Sequence, residues 1–101
     1  MWEQIKCHIL MVLRLIESEL DQEAIDAVKH YVEHDEYEMA FEGLFLEIIK
    51  LNEVPNLNFA ESKKVAIMLR LHESSVFDAD FWTKFNQLRD NAEGLAPESV
   101  S

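Results

Sequence analysis

The chain has 101 residues, 49% hydrophobic and 10% aromatic, enough for one hydrophobic core and too much for wholesale disorder. Two Gly and two Pro are too few for the many tight turns of a β-sandwich or small barrel, and for collagen-like or linker sequence. Twenty acids against nine bases leave a net charge of −11, which repels nucleic acid and anionic membrane at long range and favours a basic partner.

The first element is expected from about Trp2 to Glu17. Trp2, Ile5, Ile9, Val12, Leu13 and Ile16 recur at three- and four-residue spacing, which places them on one stripe of an amphipathic helix. Within it, Ile9 to Leu13 is a five-residue apolar run bracketed by Lys6, His8 and Arg14, with no small-residue cleavage site after it. A membrane-spanning helix needs about 20 apolar residues, so the run reads as part of a soluble, non-exported chain. The lone Cys7 excludes an internal disulfide and a multi-cysteine zinc cage, and it fits a reducing cytoplasm.

Asp21 is placed to cap a second helix that ends near His34 and buries Ala24, Ile25, Val28, Tyr31 and Val32. A third, from about Glu36 to Leu51, is apolar over most of its circumference, through Tyr37, Ala40, Phe41, Leu44, Phe45, Ile48, Ile49 and Leu51. Such a helix belongs in the middle of a small bundle, or keeps one face for a partner. Val54-Pro55 marks a loop, because proline disfavours helix at the residue before it. Asn58 with Glu61 resembles a capping box for a fourth helix, about Phe59 to His72. Asp78 can cap a fifth, about Ala79 to Asp90, carrying Phe81, Trp82, Phe85 and Leu88. Residues 1–90 are thus expected to form one all-α domain of about five helices, with a frayed polar tail over 91–101.

Residues 21 to 53 hold ten acids and two lysines, a local charge of −8. Clustered like charge destabilises a fold by self-repulsion, and what it offers in return is steering of a cationic partner. Glu38, at the edge of the apolar arc of the third helix, is expected to reach solvent at the rim. His30 and His34 share one helical face with Asp26 in register, the beginning of a metal grip. The His-Glu-x-x-His pattern is absent, however, and neither a metal nor a cofactor is expected. Cys7 and His8 point about 100° apart on a helix and cannot work as a nucleophile–base pair. His8 and His72 are expected at the surface or partly satisfied, and Trp2 and Trp82 in the core or at its edge. Gly43 and Gly94 cannot make a glycine-rich phosphate loop, and a bundle this small rarely offers a catalytic cleft, so no enzymatic role is expected.

The stretch Tyr31-Val32-Glu33-His34-Asp35-Glu36-Tyr37-Glu38-Met39-Ala40-Phe41-Glu42-Gly43-Leu44 resembles the helix–turn–helix of small bacterial immunity proteins of the MafI-like and contact-dependent growth inhibition type. Their Glu-Tyr-x-x-Ala-x-Glu-x-Leu motif is matched by Glu36, Tyr37, Ala40, Glu42 and Leu44. The Pro55 loop, Ile67-Met68-Leu69 and the aromatic segment around Trp82 extend the similarity over residues 10 to 88 or so. The resemblance implies a cytoplasmic antidote that binds the C-terminal nuclease domain of a toxin delivered by neighbouring bacteria, often an RNase acting on tRNA. It blocks the toxin's active site in a one-to-one complex, without touching nucleic acid or membrane itself. Charge clustering points to Asp21, Asp26, Glu33, Asp35, Glu36, Glu42 and Glu47 as the toxin-facing acids, with Met39 and Leu46 as apolar anchors among them. Two other readings fit the composition: an acidic helical adaptor or scaffold for another basic protein, and a metal-dependent enzyme built on His30 and His34.

Overall fold

The computed structural model describes residues 1–51 and 53–92. They form five α-helices: α1 (Trp2–Ile16), α2 (Gln22–Glu33), α3 (Tyr37–Ile49), α4 (Phe59–Met68) and α5 (Phe81–Ala92), with a 3-10 turn at Glu17–Glu19 after α1. The all-α bundle expected from the apolar spacing is what the chain adopts. Helix α5 runs through Asn91 and Ala92, two residues past the expected start of the tail, and the rest of that segment, 93–101, lies outside the described residues.

Two of the expected caps are made. Asp21 accepts the Ala24 N–H at 2.9 Å and Asn58 accepts the Glu61 N–H at 3.0 Å, each satisfying a donor that the first turn of a helix leaves free. The reciprocal half of the box at Asn58 is not formed, because the Glu61 carboxylate is engaged by Gln4 Nε2 instead. Asp78 caps a turn one step before α5: its Oδ1 accepts the Asp80 N–H at 2.8 Å, and helix begins only at Phe81.

Helix α3 lies at the centre, packed against α1, α2 and α5. Its Phe41 and Phe45 are stacked with ring centroids 4.5 Å apart, and Phe85 meets both from α5. Phe81 closes edge-on against Phe41, and Trp82 stacks on Phe85 at the border of the cluster. Aromatic groups in such offset and edge-to-face arrangements contribute about 0.5–1.5 kcal/mol per pair beyond their buried area. Trp2 departs from its expected place: it is exposed and lies over the Tyr37 ring at 5.7 Å. His8 meets the second of its two expectations: it is buried on the inner face of α1 and partly satisfied, with Nε2 bonded to Ser62 Oγ and no partner at Nδ1.

Helices α2 and α4 end alike. Asp35 and Arg70 adopt left-handed backbone, with φ of 58° and 62°. In each case two backbone bonds close the helix: Glu36 N–H to Tyr31 O with Asp35 N–H to Val32 O, and Leu71 N–H to Ala66 O with Arg70 N–H to Ile67 O. This double closure normally carries glycine at the left-handed position. It stops α4 at Met68, well before the expected His72, and turns Leu71 inward to full burial. Because a Cβ is disfavoured there, Arg70→Gly is expected to stabilise the fold by about 0.5–1 kcal/mol. Thermal unfolding checks this through a rise in Tm of several degrees; a fall would show that the Arg70 side chain contributes more than its backbone costs.

Candidate functional site

The acids of α2 and α3 do not form one uniform sheet of charge. Two hollows flank a strap, residues 76–78, that crosses α3 at Glu42, and only some of these acids line them.

Glu42 is the element that builds this face. Its side chain is 0% exposed. The carboxylate accepts three backbone N–H groups, from Val76 at 2.6 Å, Phe77 at 2.7 Å and Asp78 at 2.8 Å. Three converging dipoles replace the water an ionised carboxylate would otherwise need. Glu42 was expected among the toxin-facing acids; it points inward instead, because the strap N–H groups have no other acceptor within a helix or sheet. It is a structural acid and leaves the list of surface candidates.

Held down in this way, the strap turns Val76 and Phe77 outward. Phe77 remains 50% exposed, its ring tilted against Tyr31 at 6.1 Å and lying over Gly43. A Cβ at Gly43 would reach the Phe77 ring edge at 3.7 Å, ordinary contact, so the glycine widens the second hollow without being demanded by the backbone. Asp78 completes the strap through an ion pair with Lys84 at 2.7 Å. Hydrogen bonding to that lysine and to the Asp80 N–H holds the Asp78 carboxyl below its ordinary range, and the same bond pushes the Lys84 ammonium up.

The first hollow, about 480 Å³, lies between the α2–α3 turn and the end of α4. Asp35, Glu36 and Glu38 stand on one side of it; Met39, Leu69 and Val76 supply the apolar lining, with Arg70 opposite. Glu38 is exposed, as its rim position suggested. The left-handed turn at Asp35 is fixed further by the Tyr37 hydroxyl, which donates to Asp35 Oδ1 at 3.0 Å. That bond raises the Tyr37 phenol above its ordinary range, with burial adding to it.

The second hollow, about 430 Å³, runs between α2 and α3 beneath Phe77. Tyr31, Leu46 and Ile49 line it, and its charged rim is neutralised in place by Glu47 with Lys50 at 3.2 Å and Asp78 with Lys84.

Among the residues singled out from the sequence, then, Asp35, Glu36 and Met39 come together in the first hollow, and Leu46 and Glu47 in the second. Asp21, Asp26 and Glu33 are exposed but line neither hollow: Asp21 is used as a cap and Asp26 accepts from Gln22 Nε2. His30 and His34 sit with ring centroids 4.3 Å apart, and His34 Nδ1 is bonded to the His30 carbonyl oxygen at 3.0 Å. Among the described residues, no group of three or more His, Cys, Asp or Glu is placed to hold a metal ion, and no helix is long and apolar enough to cross a membrane. Sequence reasoning missed Val76 and Phe77. Their one signal is an apolar pair standing alone in the polar stretch Ser74-Ser75-Val76-Phe77-Asp78.

Comparison of the chain with protein-family models, curated proteins and solved structures finds no match in any of the three.

Proposed function

We propose that this protein is a non-enzymatic immunity protein that binds a basic nuclease toxin domain one-to-one and covers its active site, acting in the bacterial cytoplasm. The observation that carries the reading is the first hollow. Three carboxylates, Asp35, Glu36 and Glu38, stand beside an apolar lining of Met39, Leu69 and Val76. That combination suits the side chains a nuclease uses to hold phosphate: the aliphatic stem of an Arg or Lys lies on the apolar surface while its charged head meets a carboxylate. Phe77, exposed beside it on a strap bonded to Glu42, supplies the kind of aromatic anchor that slows dissociation. The acids then set the encounter rate and the apolar groups the lifetime.

The test is co-expression with the toxic C-terminal domain encoded by the neighbouring reading frame, together with binding kinetics on the purified pair. Wild-type protein is expected to restore growth. Glu36→Lys with Glu38→Lys should slow association by about ten-fold or more at low salt, an effect that shrinks as salt rises. Phe77→Ala should act mainly on the dissociation rate. Growth arrest that wild-type protein fails to relieve would remove the immunity reading. Neutralisation unaffected by the charge reversal would remove this face from it.

A further inference from the structure

We propose that the outer face of α1 is a self-association surface, on which a second copy of this chain docks its own α1 in antiparallel orientation. Glu3, Cys7, Leu10 and Arg14 are all exposed and follow one another at spacings of four, three and four. Two helices can pair along such a seam, here with charged residues at its ends and Cys7 and Leu10 at its centre. Leu10 in the seam and Met11 beside it are 36% and 49% exposed, two large apolar groups on a side of α1 that no other helix of the described residues covers.

Charge complementarity selects the occupant and the register. In an antiparallel pair with its two-fold axis between His8 and Ile9, Cys7 of each copy lies across from Leu10 of the other. Glu3 of each then lies across from Arg14 of the other, so both ends of the seam close with an opposite-charge pair. A shallow hollow beside Leu10 and Arg14 is lined also by Lys29 from α2 and by Glu17, so the incoming Glu3 meets two cations beside one acid. The wider charge distribution favours the same face: α1 carries Glu3 against Lys6 and Arg14, whereas the acids concentrate on α2 and α3. Two chains of charge −11 meet with least repulsion on a face where acids and bases are close to balance. None of these residues belongs to the hollow of Asp35, Glu36 and Glu38, so the inference stands apart from the proposed function and is tested on the protein alone.

Sedimentation equilibrium at about 0.3 M salt, where repulsion between the two acidic chains is screened, reads the outcome directly. The weight-average mass is expected to rise with concentration from 11.8 kDa towards twice that value, and a short bismaleimide should join Cys7 to Cys7 in a single product. The axial offset of the two thiols in this register is about 4.5 Å at a rise of about 1.5 Å per residue. Arg14→Glu is expected to weaken the dimer by about ten-fold or more, equivalent to at least about 1.4 kcal/mol. Glu3→Arg combined with Arg14→Glu should return it to within a few-fold of wild type. Leu10→Glu with Met11→Glu should leave a folded monomer, its helicity checked by circular dichroism. A protein that stays monomeric to about 1 mM, a dimer indifferent to Arg14→Glu, or a double charge swap that fails to restore it would each overturn the proposal.

Discussion

Replacing Glu42 by alanine is expected to destabilise the protein by about 3–5 kcal/mol, the range for removing one partner from a buried, fully hydrogen-bonded charged site. The substitution deletes the acceptor of the Val76, Phe77 and Asp78 N–H groups and leaves three donors facing a cavity where the carboxylate stood. Glu42→Gln keeps the shape but offers one acceptor oxygen in place of two. Its amide N–H₂ must then confront at least one strap N–H, so a loss of about 2–3 kcal/mol is expected. Glu42→Asp withdraws the carboxylate by one methylene and should fall near the alanine variant. Against a total stability of about 5–15 kcal/mol for a domain of this kind, the alanine variant is left with a small margin. Urea denaturation measures the loss as a lowered midpoint, and amide exchange locates it: protection at Val76, Phe77 and Asp78 should collapse while the centre of α3 stays protected in the surviving native fraction. A midpoint within about 0.5 kcal/mol of wild type would mean that the strap does not depend on the clamp. The variant also bears on the proposed interaction face, since a released strap no longer holds Val76 and Phe77 outward between the two hollows.

How far the sequence could be read follows from which groups satisfy one another. Helices α1, α2 and α3 were legible because their apolar side chains repeat at helical spacing, and Asp21 and Asn58 were legible because a cap is written in a side chain. The three partners of Glu42 are backbone N–H groups, which no letter encodes, and they come from a strap 34 to 36 positions away. The clue within reach was its wheel position: on α3 Glu42 falls between Ile49 and Leu46, among apolar neighbours. His8 is a similar case, lying on the wheel beside Val12 and occupying a core position with a polar ring. The early end of α4 was hidden for another reason. Arginine has no special preference for left-handed backbone, so the closure at Arg70 is set by burial of Leu71 on the core. The charge skew of residues 21 to 53 is visible in the sequence, but only the fold shows that Asp35, Glu36 and Glu38 share a hollow with Arg70, whereas Glu47 and Asp78 are paired with Lys50 and Lys84.

The pair His8 and Ser62 gives the second large effect, and it depends on pH. His8 is 4% exposed and Ser62 is 0% exposed; Nε2 of the ring lies 2.7 Å from the serine Oγ, while Nδ1 has no hydrogen-bond partner. Burial lowers the His8 pKa from its ordinary value of 6.5, against a smaller opposing pull from the Glu61 carboxylate. Below about pH 6.5 the unfolded chain therefore takes up a proton that the folded chain refuses. The stabilising effect of a neutral His8 is complete above that value and is lost as pH falls through the interval down to the folded-state pKa. Ser62→Ala removes the one partner of a buried ring and should cost about 1–3 kcal/mol at neutral pH. His8→Leu should cost less, since the Ser62 hydroxyl can turn back to the Asn58 carbonyl one helical turn earlier, and it should flatten the fall in stability below about pH 6.5. With both changes made together, neither polar group is stranded, so the double variant should approach wild-type stability at neutral pH and exceed it in acid. Urea midpoints for the four proteins at pH 8 and pH 5.5 complete the cycle, and the double variant's deviation from additivity measures the coupling. If His8→Leu left the acid-side slope unchanged, the titration would have to be assigned to another group, and additive single changes would mean that the two side chains do not act as a pair.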